Sequence, residues 1–169
     1  MIHVCSLARL EETVERVGAR RVITLINAGT PMRRPPTVAE ADYLHLAMND
    51  IVEPIEGMTP PGEEHVRTLL DWVGDWDRAA PMVVHCFAGI SRSTAAAYSI
   101  VAALNPGRNE MELARTLRAR SPSATPNRRI IAIADRLLGR DGRMLAAIDA
   151  IGRGADAFEG TPFFLEIDR

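Results

Sequence analysis

The sequence predicts an α/β protein with a mostly parallel central sheet flanked by helices. Apolar runs with strand character alternate with segments whose apolar residues recur at helical spacing, an order of elements typical of this class. Residues 21–27 and 81–86 contain continuous apolar, β-branched runs, as expected of parallel strands buried on both faces. The chain has 169 residues, 47% of them hydrophobic, which is enough for one domain with a sizeable core.

Each element is predicted from a local pattern. Four strands are predicted from short apolar runs, at residues 2–5, 21–27, 43–48 and 81–86. Six helices are predicted from apolar residues at helical spacing, at residues 10–17, 63–76, 93–104, 109–120, 127–138 and 143–151. Gly18 ends the first helix, and two acidic residues stabilise the start of the second. The third helix is rich in Ala and apolar almost all round, so we expect it to be buried.

The composition excludes several classes of function. Twenty basic residues against twenty-two acidic ones give a net charge of −2, which predicts neither a nucleic acid nor a membrane as partner. All twenty basic residues are Arg, and the absence of Lys excludes a Walker-type phosphate loop and a Schiff base. Two Cys and four His without metal-binding spacing favour no metal site. Because no signal peptide or membrane span is visible, we expect a cytoplasmic protein.

The segment VVHCFAGISRSTAA, residues 83–96, carries the candidate chemistry. It places Cys86 at the end of a predicted strand, followed by five small or turn-prone residues, Arg92 and a helix. The N–H groups of such a loop and the positive end of the helix form an anion cradle, for which Gly89 supplies the backbone freedom. This positive field favours the thiolate form of Cys86, and the planar fork of Arg92 can bind two phosphate oxygens. A thiolate beneath a bound phosphate is placed for attack on phosphorus.

These residues resemble the signature of the Cys-dependent protein tyrosine phosphatase superfamily, which reads His-Cys, five residues, Arg and then Ser or Thr. The stretch HCFAGISRS is most similar to the dual-specificity branch. The resemblance implies a metal-independent phosphatase without a cofactor, in which Cys86 forms a phosphocysteine intermediate. It also implies that Ser93 donates a hydrogen bond to the sulfur and that His85 supports the loop. The residues implied to bind the phosphate are Phe87, Ala88, Gly89, Ile90, Ser91 and Arg92.

A separate loop should supply the acid that protonates the leaving oxygen. Asp50 follows the predicted third strand, and it emerges at the edge of Cys86 if that strand runs parallel to the fourth. Asp50 lies 36 residues before Cys86, close to where the general-acid Asp of the resembled family falls. Asp77 is the rival, but five strand residues at ~3.3 Å each place it roughly 16 Å away, at the opposite edge. Glu53 and Glu56, on the loop of Asp50, are further alternatives.

Residues outside the signature extend the resemblance and mark its end. Pro126-Asn127 matches a Pro-Asn pair that the dual-specificity branch often carries after the signature helix. Asn127 either braces the loop or the water of a second step, or it is simply a helix N-cap. The resemblance covers residues 1–139 in architecture. We divide the chain into a phosphatase catalytic domain, residues 1–152, which includes the last predicted helix, and an irregular C-terminal arm, residues 153–169. The arm contains three aromatic residues that either pack over the core or form a dimer contact: Phe158, Phe163 and Phe164. The sequence therefore does not predict the oligomeric state.

The substrate is expected to be a phosphorylated protein or a small phosphomonoester. The five residues between Cys86 and Arg92 carry no charge, whereas phosphoinositide-cleaving members usually have basic residues there. Against this, four guanidinium groups could form a basic rim for further phosphates, at Arg33, Arg34, Arg128 and Arg129. An inositol polyphosphate or phosphoinositide phosphatase is therefore the alternative enzyme, and a phosphate-binding pseudophosphatase module is the alternative without catalysis.

Cys5 raises a redox hypothesis in which a disulfide with Cys86 protects the nucleophile. A Cys in a short buried strand is more often a packing residue. A disulfide also requires a short distance and a matching direction of the two side chains, which the sequence does not give.

Overall fold

The computed structural model describes residues 1–168 and contains five strands and six α-helices over that range. The strands are β1 (Ile2–Ser6), β2 (Arg21–Ile26), β3 (Tyr43–Ala47), β4 (Met82–Cys86) and β5 (Phe163–Leu165). The helices are α1 (Leu10–Val17), α2 (Glu63–Gly74), α3 (Arg92–Leu104), α4 (Glu110–Arg120), α5 (Arg128–Leu137) and α6 (Arg143–Ile151). Four of the strands and all six helices lie within a few residues of the predicted positions.

The strands form one sheet in the order β3-β2-β4-β1-β5. The first four are parallel, and β5 runs antiparallel to β1. The predicted fold class, α/β with a mostly parallel sheet flanked by helices, is therefore confirmed. Because the strands are parallel, the carboxyl ends of β1, β2, β3 and β4 meet at one edge, where Ser6 lies opposite Cys86.

Two apolar cores cover the two faces of the sheet. On one face, α1 packs against β1 and β4 through Leu10 and Val14. The other face carries the larger core, to which α2 through α6 all contribute. Helix α3 lies at the centre of this core and is buried along most of its length, as predicted from its Ala-rich sequence. Its first turn is therefore held firmly at the edge where the parallel strands end.

The C-terminal segment differs from the irregular arm that the sequence predicts. Phe163, Phe164 and Leu165 form β5, which pairs with β1 and buries Phe163 and Leu165 in the core. Three residues are too few for an alternating pattern to be recognised in the sequence, so this strand was missed. Phe158, by contrast, is fully exposed. Residues 1–168 contain no helix with the length and apolar character needed to cross a membrane.

Candidate active site

Cys86 is the last residue of β4 and lies at the start of a tight loop that leads into α3. We call residues 87–91 the Cys86 loop. The Cys86 side chain is buried, and its Sγ lies 3.1 Å from the Oγ of Ser93 in the first turn of α3. The strand, loop and helix arrangement that the sequence predicts is thus present, with the sulfur at the base of the loop.

Four carbonyl groups of the Cys86 loop point away from the sulfur and accept backbone N–H groups from other segments. The pairs, with their N···O distances, are Phe87 with Leu7 (3.1 Å), Ala88 with Gly160 (2.8 Å), Ile90 with Thr125 (3.0 Å) and Ser91 with Asn127 (3.2 Å). In a trans peptide the C=O and the following N–H point in opposite directions. The N–H groups of Ala88, Gly89, Ser91 and Arg92 are therefore turned to the inner side of the loop, where an anion can accept them.

Gly89 occupies a position that no other residue fits. Its φ is +71°, in the left-handed region. A Cβ at this position would lie 2.8 Å from both the carbonyl carbon of Cys5 and the backbone N of Ser6. The Cys86 loop is thus packed, backbone against backbone, on the end of β1.

Arg92 is buried, and part of its guanidinium group is already bound within the protein. Its Nη1 donates to Oδ1 of Asn27 at 2.6 Å and to the carbonyl of Met48 at 2.7 Å. Its Nε is buried and has no hydrogen-bond partner among residues 1–168. A buried unpaired donor is unfavourable unless a ligand satisfies it, so this nitrogen is available for an oxyanion oxygen. Asn27 was not predicted as a site residue, because Asn after a strand is also an ordinary turn former.

Asp50 lies at the edge of the Cys86 loop, because β3 is parallel to the rest of the sheet up to β1. Its Oδ1 accepts a hydrogen bond from Ser91 Oγ at 2.7 Å and another from Asn127 Nδ2 at 2.8 Å. The rival acid, Asp77, lies in the segment before β4, where its Oδ1 accepts the N–H of Ala79. Of these two acids, the structure brings only Asp50 to the loop.

Asn127 is the N-cap of α5, one of the roles considered from the sequence, and it also binds the loop of Asp50. Its Oδ1 caps α5 by accepting the N–H groups of Arg129 and Ile130, at 3.0 and 3.2 Å. Its Nδ2 donates to Asp50 and, at 3.3 Å, to the carbonyl of Ile51. The same side chain therefore starts a helix and binds the loop that carries Asp50.

His85 is fully buried on the side of the sheet opposite the sulfur. Its Nε2 lies 2.7 Å from Thr24 Oγ1, and Thr24 donates to the hydroxyl of Tyr43 at 3.1 Å. Burial lowers the pKa of His85 to about 4, and the nearby His45 and Arg92 act in the same direction. His85 is consequently neutral near pH 7 and supports the end of β4 rather than acting as a titrating base.

The site opens into a cleft of about 420 Å³. Its lining combines Arg92 and Asp50 with apolar side chains, among them Ile51, Met58 and Phe87. Phe87 is 66% exposed, and Met58 is also exposed. The mouth of the cleft therefore offers an apolar surface next to the anion-binding groups.

The basic rim considered from the sequence is largely engaged elsewhere. Arg128 forms a two-fold hydrogen-bonded ion pair with Asp149, with N···O distances of 2.8 Å. Arg129 donates to backbone carbonyls at positions 61 and 52, and Arg34 donates to the carbonyl of Val38. Arg33 remains exposed.

Cys5 does not face Cys86. In the register of β1 with β4, Cys5 lies opposite His85, and Ser6 lies opposite Cys86. Because successive side chains of a strand point to opposite faces, Cys5 belongs to the core that contains α1, whereas Cys86 belongs to the larger core. The proposed disulfide between them is therefore wrong: the side chains point to opposite sides of the sheet.

No protein-family model matches the chain, and no curated protein matches it either. Several solved structures share its fold. The structure of DUSP15 has a TM-score of 0.65 at 17% identity, covering 88% of this chain and 90% of that one. The Cydia pomonella PTP-2 phosphatase has a TM-score of 0.63 at 15% identity, covering 80% and 84%. Human DUSP28 has a TM-score of 0.62 at 18% identity, covering 82% and 92%. The chain therefore has the fold of the dual-specificity-like branch of the protein tyrosine phosphatase superfamily.

Proposed function

We propose that the protein is a phosphomonoester hydrolase in which Cys86 attacks phosphorus. One arrangement carries this proposal: the buried Cys86 sulfur lies at the base of a loop whose N–H groups are turned inward. Beside it lies Arg92, whose Nε is buried and has no partner among residues 1–168. These donors complement the equatorial oxygens of a phosphoryl group as negative charge spreads over them in the transition state. The Cydia pomonella PTP-2 phosphatase, which shares the fold, supports the same reaction class.

In the first step, the Cys86 thiolate forms a bond to phosphorus as the bond to the leaving oxygen breaks. Asp50, in its protonated form, transfers its proton to that oxygen, so the alcohol or phenol departs neutral. The hydrogen bonds that Ser91 and Asn127 donate to Oδ1 hold the carboxyl at the edge of the loop. The product of this step is a phosphocysteine and an Asp50 carboxylate.

In the second step, water attacks the phosphocysteine and the S–P bond breaks. The Asp50 carboxylate takes a proton from the water, which restores the acid and releases inorganic phosphate. The departing sulfur regains its negative charge 3.1 Å from Ser93 Oγ, whose hydroxyl can donate to it. We assign Ser93 this role.

The cleft favours an aryl phosphate, as in a phosphotyrosyl protein, over a polyphosphorylated inositol. Phe87 and Met58 offer apolar surface to an aromatic ring at the mouth of the site. Further phosphates would find few free cations, since Arg34, Arg128 and Arg129 already bind partners within the chain. We keep the inositol polyphosphate phosphatase as the second candidate because Arg33 remains exposed.

The reaction is tested by hydrolysis of p-nitrophenyl phosphate near pH 6 in the presence of EDTA. We expect turnover by the wild type and by Cys5→Ser, whose sulfur lies on the other side of the sheet, and none by Cys86→Ser. Equal turnover by Cys86→Ser would contradict the Cys mechanism. A wild type that binds tungstate but releases no phosphate would favour the pseudophosphatase module.

The substrate class is tested with a phosphotyrosine peptide, a phosphoserine peptide and inositol hexakisphosphate. We expect the highest kcat/KM for phosphotyrosine, and Phe87→Ser should lower it more than it lowers the value for phosphoserine. Highest activity on the inositol phosphate, with loss in Arg33→Ala, would support the second candidate instead.

A further inference from the structure

The segment that joins α6 to β5 contacts the candidate site from outside the region of family resemblance. We call residues 153–162 the strap. We propose that the strap is a positioning element of the Cys86 loop, and that the N–H of Gly160 is the group through which it acts. This inference rests on the proposed role of the loop in binding phosphate, although it does not require turnover.

The hydrogen bond from Gly160 fixes the direction of one peptide unit of the loop. Its N–H donates to the carbonyl of Ala88 at 2.8 Å. That carbonyl shares its peptide plane with the N–H of Gly89, so the bond turns this N–H to the inner side. The other three outward carbonyls accept from Leu7, which directly follows β1, and from Thr125 and Asn127. Among these four, only the Ala88 carbonyl is bonded to the strap directly.

Gly160 is a glycine because of a close approach and not because of its backbone angle. Gly160 is buried, and its φ is not among the positive ones. A Cβ at this position would lie 2.7 Å from the carbonyl oxygen of Gly89 and 3.4 Å from Cγ1 of Ile90. Any side chain would therefore push the strap and the loop apart.

The strap and β1 enclose the loop from two sides. Gly89 packs on the backbone of Cys5 and Ser6, while Gly160 packs on the carbonyl of Gly89. The two supports are themselves connected, because Ser6 Oγ donates to Oε1 of Glu159 at 2.6 Å. The tip of the Cys86 loop thus has backbone on both sides, which restricts the orientation of its N–H groups.

A second contact holds the strap at its N-terminal end. The N–H of Gly154 donates to Thr125 Oγ1 at 3.1 Å, and the N–H of Ala155 donates to the carbonyl of Pro122 at 2.9 Å. A Cβ on Gly154 would lie 2.5 Å from the backbone of Ser123. Gly154 is therefore a control one step removed from the loop: the same substitution creates a similar clash, but against Ser123 and Ala124, next to Thr125, and not against the Cys86 loop itself.

The decisive experiment compares Gly160→Ala with Gly154→Ala for tungstate affinity, measured by calorimetry on the full chain, and for the unfolding midpoint. We expect both variants to lower the midpoint. Gly160→Ala should weaken tungstate binding by about tenfold or more, the scale of losing one hydrogen bond to a charged group, and Gly154→Ala, which reaches the loop only through Thr125, should weaken it less. Gly107→Ala, where a Cβ meets nothing within 4 Å, should match the wild type in affinity. Wild-type affinity in Gly160→Ala, or equal loss in Gly154→Ala, would overturn the proposal.

Glu159→Ala tests the strap without introducing a clash, and it remains informative if Gly160→Ala does not fold. It removes the acceptor for the buried Ser6 hydroxyl, so we expect a loss of tungstate affinity of about two- to fivefold together with a lower unfolding midpoint. The control is Asp156→Ala, which removes another exposed acid of the strap, one paired with Arg153. Equal affinities in these two variants would count against a positioning role. Tungstate binding without phosphate release by the wild type would contradict the proposed reaction but leave this test intact.

Discussion

Asn127 donates from its Nδ2 to Oδ1 of Asp50 across 2.8 Å, although the two residues are 77 positions apart in the chain. Ser91 of the Cys86 loop donates to the same oxygen at 2.7 Å. The candidate acid is therefore bound both to the loop that would hold the phosphate and to Asn127, the N-cap of α5. This arrangement makes Asp50 part of the site before any substrate arrives.

The first prediction concerns the proton donated to the leaving group. Asp50→Asn keeps the shape of the side chain but has no proton to donate, so we expect about a 10²-fold loss of kcat/KM on phenyl phosphate. The loss on p-nitrophenyl phosphate should be smaller, because its phenolate leaves more readily without a proton. Asp77→Asn should keep wild-type values on both. Equal losses on the two substrates would contradict the assignment of Asp50 as the acid.

The second prediction concerns the support of Arg92. Asn27→Ala removes the side chain that accepts from Nη1 at 2.6 Å, so the guanidinium loses one of its two anchors. We expect tungstate affinity to fall about tenfold, corresponding to roughly 1.4 kcal/mol. Asn109→Ala is the control, since it removes the N-cap of α4 and costs about 1 kcal/mol of stability far from the site. The control should lose stability and keep its tungstate affinity. If Asn27→Ala behaved in the same way, Asn27 would have no positioning role.

The third prediction concerns the dependence of stability on pH. The pKa of His85 is about 4 in the folded protein, below the usual 6.5 of the unfolded chain. Between these values the unfolded state binds more protons, so the free energy of unfolding falls as the pH falls. The contribution of His85 to the free energy of unfolding is complete above pH 6.5 and is lost by about pH 4. From the difference between the two pKa values, this contribution is on the order of 3 kcal/mol.

Urea unfolding at pH 7.5 and pH 4.5 measures this contribution. His85→Asn should lose less stability than the wild type between the two pH values. An identical loss in His85→Asn and the wild type would show that His85 is not the group responsible.

The fourth prediction concerns the reactivity of the two thiols. Burial raises the pKa of Cys5 to about 12, so its thiolate is rare at neutral pH. We expect iodoacetate to label Cys86 alone in the native protein, and tungstate to protect it. Mass spectrometry of the labelled Cys86→Ser variant should then find no modified residue, and labelling of Cys5 at the wild-type rate of Cys86 would refute the prediction.

Local patterns were sufficient to predict most of the fold. The β-branched run of β2, the Ala-rich α3 and the glycine after α1 each indicate an element from within its own residues. The strand, loop and helix around Cys86 could be predicted for the same reason, since Cys86, the loop and Arg92 lie within seven consecutive positions. What was missed was β5, whose three residues are defined by pairing with β1 and not by a pattern of their own.

The contacts that orient the site were beyond sequence reasoning because they join distant segments. Asn27 resembles any polar residue after a strand until the fold brings it to Arg92. Gly160 resembles a loop glycine, and only the close approach of Gly89 explains it. Arg128 and Arg129 look like a free basic pair in the sequence. Whether they are free depends on acceptors that lie elsewhere in the chain, such as Asp149.

The hydrogen bond between Gly160 and Ala88 also affects the order in which a newly made chain matures. The ribosome releases a chain from its N-terminus, so Cys86 and Arg92 emerge long before residue 160. Until that residue is released, the nascent protein contains Cys86 and Arg92 but lacks one of the four donors that hold the loop carbonyls outward. The complete set of hydrogen bonds to the loop carbonyls therefore forms only after residue 160 has been released.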